Sequence, residues 1–153
     1  MSVLATYRRL ARWHAGRWLF SRLVCWKAPY FASIAPRIEV LEPGRCVATL
    51  RHRRAVTNHL GTVHAIALCN LAEFTGGLGC DASLPPSMRW IPKGMTVAYL
   101  KKAVGTQRAT ATPAIPPHAS QDGYVLPFEV VVENAAGEAV FRATIAMWVT
   151  PRD

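Results

Sequence analysis

Apolar positions along this chain follow two different periods. Val3, Leu4, Tyr7, Leu10, Ala11, His14 and Trp18 recur at three- and four-residue spacing, with Arg8, Arg9 and Arg12 on the other side. That period predicts an amphipathic helix over residues 3 to about 24. Arg37–Leu41 and Cys46–Arg51 instead alternate, and Pro43-Gly44 between them suits the central positions of a type II turn, so the pair reads as a hairpin. A polar, glycine-bearing loop, Asn58–His64, then leads into Ala65–Phe74, which is apolar nearly all round and predicts a long buried helix. Gly76, Gly77 and Gly79 fall near its end, where a close crossing or a C-cap would use them. Asp81–Pro86 reads as a loop, which leaves Glu73 as the only carboxylate of the central helix. Strands are expected from Met95 onward, over 105–111, over 125–132 and over 139–149, with Asn134–Gly137 turning between the last two.

The order is therefore helix, two strands, one long helix, four strands. Strands grouped around a single helix, without βαβ alternation, indicate an α+β fold with a mostly antiparallel sheet. At 153 residues and 51% apolar content the chain suits one ordinary domain with a real core. Its apolar runs fall short of the roughly 18 to 20 residues needed to cross a bilayer. Cys25, Cys46, Cys69 and Cys80 lack CxxC spacing and read as free, largely buried thiols of a reducing compartment, with no metal site.

Charge changes the picture more. Residues 1–54 hold eleven Lys and Arg against Glu39 and Glu42, so they carry the whole net charge of +9 and the remainder is neutral. The first third is thus the part that attracts an anion: phospholipid, nucleic acid, or a phosphorylated ligand such as coenzyme A. Nucleic acid ranks last, because no aromatic platform is interleaved with the basic residues on a sheet. Arg17 and Arg22 interrupt any signal-peptide core, which favours a cytoplasmic protein. The Arg-rich, acid-free start also matches a mitochondrial presequence, as a minor alternative. Trp and Arg along residues 1–26 suit peripheral contact with a membrane surface or a lid over an acyl chain, beside the plainer reading of a packed helix with a solvated basic face.

Asn58-x-x-Gly61-Thr62-x-His64, an Ala-rich helix, and Glu73 nine residues after the histidine resemble the hotdog-fold acyl-CoA thioesterases, nearest to the phenylacetate-pathway and 4-hydroxybenzoyl-CoA branch. Met88–Ala103 is similar to the strand after the helix in a poorly characterised subgroup of that family. The resemblance covers about residues 37–149. It implies a hotdog fold, an antiparallel sheet wrapped around one long helix, here as a domain over 36–153 preceded by an amphipathic helix and connection over 1–35. It further implies hydrolysis of acyl-CoA or another acyl thioester, with coenzyme A entering as part of the substrate and no separate cofactor. Glu73 would be general base or nucleophile, the Ala65 backbone N–H would polarise the thioester carbonyl, and Asn58 and His64 would orient the thioester. Gly61, Lys101, Lys102 and Arg108 would bind substrate, the three cations through coenzyme A phosphates. The alternative is an acyl-CoA or lipid-binding protein on the same fold without turnover.

The spacing adds a constraint of its own. Nine residues of helix are ~13 Å along the axis and about two and a half turns around it, so His64 and Glu73 of one chain point to opposite sides. A two-fold dimer with antiparallel central helices brings His64 of one chain toward Glu73 of the other, twice. The expected assembly is therefore a homodimer or a dimer of dimers.

Overall fold

The computed structural model describes residues 2–152. Its strands are β1 (Arg37–Glu42), β2 (Arg45–Leu50), β3 (Met88–Tyr99), β4 (Gln107–Pro113), β5 (Tyr124–Glu133) and β6 (Ala139–Pro151). They form one six-stranded sheet in the order β1-β2-β4-β5-β6-β3, antiparallel at every pairing. Alternation along the strands turns Cys46, Ala48 and Leu50 of β2, Ala109 and Ala111 of β4, and Leu126, Phe128 and Val130 of β5 into the core. The helix α3 (Ala65–Ser83) lies on that inner face, buried on nearly every side. This is the α+β, sheet-around-helix arrangement expected from the order of elements.

Three glycines let α3 sink into the sheet. A methyl group on Gly76 would lie 2.8 Å from Ile145 Cδ1, one on Gly77 2.9 Å from Trp90, and one on Gly79 3.1 Å from Phe128 and 3.2 Å from Cys46 Cβ. They mark close crossings, not a C-cap. The helix runs on through Asp81–Ser83, where a loop was expected, because Cys80 and Ala82 are still buried in the core. Ser83 Oγ donates to the Gly79 carbonyl at 2.6 Å and accepts from Gly44 N–H at 2.8 Å, tying the last turn to the β1–β2 hairpin. Glu73 is consequently one of two carboxylates in α3, with Asp81 two turns further on.

The N-terminal segment is two helices, not one: α1 (Val3–Leu10) and α2 (Gly16–Lys27). The chain turns so tightly between them that a methyl group on Gly16 would sit 1.7 Å from the Leu10 carbonyl oxygen, so only glycine fits there. Periodicity continues through such a break, which hides it from a reading of spacing. Phe20 and Cys25 of α2 are buried, and Tyr7 of α1 meets Phe20 edge-on.

The two edges of the sheet are treated differently. At β1, Ser21 Oγ accepts from the Ile38 N–H at 2.9 Å and the Tyr7 hydroxyl donates to the Glu39 carbonyl at 3.1 Å, so the helices cover that edge. At the other edge, β3 starts at Met88, seven residues before the expected Met95, and a register shift between Pro92 and Gly94 bulges it. Proline, lysine and a bulge protect the first half of an edge strand. The second half, Met95–Tyr99, has no such device and is mostly exposed. Among the described residues no helix is long and apolar enough to cross a membrane.

Candidate active site

Asn58 builds the loop that precedes α3. Its Oδ1 accepts from the N–H groups of Leu60 and Thr62 at 3.0 and 3.1 Å, and its Nδ2 donates to Thr62 Oγ1 at 2.9 Å. Gly61 takes φ +72, which a residue with a side chain reaches only under strain. The loop is pinned at its end by His64 N–H to the Val56 carbonyl and Val63 N–H to the Ala103 carbonyl, both at 2.8 Å. Asn58 and Gly61 thus shape the loop that leads into α3.

His64 is the N-cap of α3. Its Nδ1 accepts from the Ile66 N–H at 3.1 Å, an unusual use of a ring nitrogen in the place where Ser, Thr, Asp or Asn normally serve. With Nδ1 accepting, Nε2 carries the proton and is left as a donor. The N–H of Ala65, first residue of the helix, bonds to nothing among the described residues, and the helix dipole is positive there. Beside it lies an open cavity of about 180 Å³ lined by His64, Ile66, Asn70, Val56, Ser33 and Tyr30. Ile66 stands at it half-exposed.

Asn70 points away from Glu73, into this region. Its Nδ2 donates to Ser33 Oγ at 3.2 Å, Ser33 in turn donates to the Tyr30 carbonyl at 2.7 Å, and Asn70 Oδ1 is buried without a partner among the described residues. Tyr30 and Ser33 belong to a short 3-10 turn, Pro29–Ser33, after α2. Nothing local announces their contact with α3. An asparagine inside an apolar helix was the one available signal.

Glu73 lies on a different stripe of α3. One turn before it, Cys69 Sγ is 3.3 Å from the Tyr99 hydroxyl of β3; one turn after it, Gly77 abuts Trp90 of the same strand. The i, i+4, i+8 spacing therefore sets Glu73 alongside the open edge strand. It is exposed in the single chain, not enclosed in the apolar setting its sequence neighbours suggested, and makes no hydrogen bond or ion pair among the described residues. Leu71, Ala72 and Phe74 are buried because they face the core on the other side of the helix. The Tyr99 phenol is held above its usual range, chiefly by its contact with Cys69 and then by burial.

A single chain thus does not join His64 to Glu73. Among the described residues none of the three cations is bonded to His64 or Glu73. Lys101 Nζ pairs with Glu138 at 2.7 Å, Arg108 Nε pairs with Glu39 at 3.0 Å, and Lys102 is exposed in the segment between β3 and β4. The Glu138 carboxyl is held below its usual range by its hydrogen bonds from Lys101 and Asn134. Among the described residues no group of three His, Cys, Asp or Glu is placed to hold a metal ion.

Comparison with solved structures places this architecture. A solved genomics target is 48% identical over 87% of this chain and 88% of its own, with a TM-score of 0.80. A Pseudomonas aeruginosa protein of unknown function, described as a probable thioesterase, is 24% identical over 86% of this chain and 93% of its own, at TM-score 0.72. A Haemophilus influenzae thioesterase is 15% identical over 80% and 82%, at TM-score 0.69. At those two identities the likeness shows the fold, and the fold is the hotdog fold of such thioesterases. Among curated proteins none matches the sequence. Residues 16–149 match the family described as "Domain of unknown function (DUF4442)", a span that takes in α2 along with the sheet and α3. The chain belongs to the DUF4442 family.

Proposed function

We propose that this protein hydrolyses acyl thioesters, acyl-CoA foremost, at the interface of a homodimer formed through the open edge of β3. The observation that carries the reading is the placement of Glu73: an unpaired carboxylate standing beside an unprotected edge strand, on the face of α3 opposite the capped N-terminus. Two-fold pairing of β3 with its copy sets Glu73 of one chain near His64 and Ala65 of the other. The hotdog fold shared with the thioesterases of Haemophilus influenzae and Pseudomonas aeruginosa supports the same chemistry.

In this mechanism Glu73 takes a proton from water as the oxygen attacks the thioester carbonyl, or attacks it directly and is released from the resulting anhydride by water. The oxyanion that forms accepts from the Ala65 N–H, which is free and lies at the positive end of the helix dipole. His64 Nε2–H donates toward the thioester. In the first route the proton passes from Glu73 to the departing thiolate; in the second the thiolate leaves as the anhydride forms and takes a proton released when water opens it, so both end in a free thiol and a carboxylic acid. Pairing with the partner chain encloses Glu73, which the single chain leaves exposed. Asn58 and Gly61 hold the loop that presents His64. Lys102, which has no ion-pair partner among the described residues, is a cation for the coenzyme A phosphates, and Lys101 and Arg108 can reach them by exchanging their surface carboxylate partners.

A second reading, acyl-CoA binding without turnover, is favoured by that exposure of Glu73 alone. A panel of acyl-CoA thioesters of graded chain length and aromatic content, read by release of free thiol, separates the two. Turnover that Glu73→Gln lowers by about 10²–10⁴-fold supports hydrolysis. Binding with no thiol release supports the alternative, and an undiminished Glu73→Gln variant refutes the role given to this residue.

A further inference from the structure

We infer that the outward face of α2 is a docking surface for an anionic membrane, an interaction that needs none of the thioester chemistry above. The inner side of α2 is fixed: Gly16, Phe20, Ser21 and Cys25 are buried, and Ser21 is bonded to β1. The outer side carries Trp18, Leu19, Arg22, Leu23 and Trp26, which at i, i+1, i+4, i+5 and i+8 form one continuous stripe. All five are exposed, Trp18 at 56% and Trp26 at 80%. Trp13, just before the helix, is 74% exposed. A stripe this apolar, held on a rigid element, is more than a solvated helix face requires.

Charge identifies the occupant. Residues 1–38 contain no acidic residue, and Arg17, Arg22, Lys27 and Arg37 make no ion pair among the described residues. Beside Trp18 a cavity of about 300 Å³ is lined by Arg22, Arg37 and Arg51; its one carboxylate, Glu39, is already held by Arg108. Tryptophan flanked by arginine, with a cationic recess at the level of the ring, matches the interfacial zone of a bilayer, where the indole sits among headgroups and arginine meets phosphate. A second copy of the chain fits worse. An isologous contact centred on this stripe would bring Arg22 against its own copy.

The face also lies close in sequence to the candidate site. Tyr30, three residues beyond Lys27, lines the cavity under His64. Should the thioesterase reading hold, a docked protein would meet acyl chains at the place where they partition; the docking itself does not depend on it.

Vesicle co-sedimentation of the full chain tests this without any thioester present. The probes are phosphatidylcholine vesicles with and without about 30% phosphatidylserine, at about 0.1 M salt. The expected result is at least about tenfold stronger binding to the anionic vesicles, weakened by added salt. Trp18→Ser with Trp26→Ser should lower binding by about tenfold or more at an unchanged melting temperature, since both rings are exposed. Arg22→Glu with Arg37→Glu should abolish the preference for anionic vesicles. The inference is overturned if the parent stays in the supernatant with both vesicles, or if the double tryptophan variant binds as well as the parent. It is likewise overturned if that variant leaves vesicle binding intact and only lowers the sedimenting mass, the mark of a self-association face.

Discussion

A hybrid dimer separates a site shared between subunits from one built within a chain. Two substitutions disable the halves independently. Glu73→Gln removes the base. Ala65→Pro removes the oxyanion donor and little else: Ala65 is the first helical residue, where proline is well tolerated, and His64 before it already has φ −64 and ψ 140, the extended conformation a following proline demands. Losing one such donor costs about 10²–10³ in rate, and losing the base about 10²–10⁴. Each variant homodimer should therefore retain about 1% of parental activity or less. In a hybrid of one Glu73→Gln chain and one Ala65→Pro chain, one site carries both defects and the other carries neither. Hybrids isolated by two different affinity tags should then regain about half the parental rate. If each site were assembled within one chain, both would remain defective and the hybrid would be as inactive as its parents. That outcome would refute the shared-site reasoning. The nine-residue separation along α3 is what makes the first result the expected one, because ~13 Å and about two and a half turns keep the two groups of one chain apart.

Two further predictions concern stability. Ser21→Ala strips the acceptor from the Ile38 N–H, whose residue is fully buried, and should destabilise the fold by about 1–3 kcal/mol, read as a lower urea midpoint at unchanged slope; an unchanged midpoint would mean that α2 does not close the β1 edge. Burial raises the thiol pKa of Cys46, and that of Cys80 to about 12, from an ordinary value of 9.0. The folded state therefore keeps protons that the unfolded chain releases above pH 9, and the stabilising contribution, complete below that pH, is lost as pH rises toward the folded values. The slope is about 1.4 kcal/mol per pH unit for each thiol. Urea titrations above pH 9 should show this fall, and Cys46→Ala with Cys80→Ala should flatten it.

Much of the fold was legible because α3 and the sheet obey simple periods. The apolar run from Ala65, the Pro43-Gly44 turn and the alternation in β2, β5 and β6 each have one straightforward reading, and the structure follows it. Asp81–Ser83 looked like a loop because the glycines before it suggest a helix end, whereas Gly76, Gly77 and Gly79 are small to admit Ile145, Trp90 and Phe128 from distant strands. The break before Gly16 is hidden differently: it is a local turn on the Leu10 backbone, and apolar spacing continues across it. The early start of β3 was masked by Pro92, which an edge strand tolerates and a central strand does not. At the site, the residue types and the local loop could be read from Asn58 to Glu73. The Asn70–Ser33 contact could not, because it joins residues 37 apart through tertiary packing.

The two edges of the sheet account for the composition of α2 only in part. Covering β1 requires one buried face, supplied by Phe20, Ser21 and Cys25, and an amphipathic helix with a polar outer side would do that work. Here Trp18, Leu19, Leu23 and Trp26 are turned away from the sheet and keep their exposure while Ser21 and Phe20 satisfy the fold. The helix end therefore carries more apolar surface than closing an edge needs, in the third of the chain that holds all of the net positive charge. Either feature by itself is ordinary on a protein surface. Their coincidence on one rigid stripe suits a partner that is both apolar and anionic, and a lipid surface offers both at the same depth.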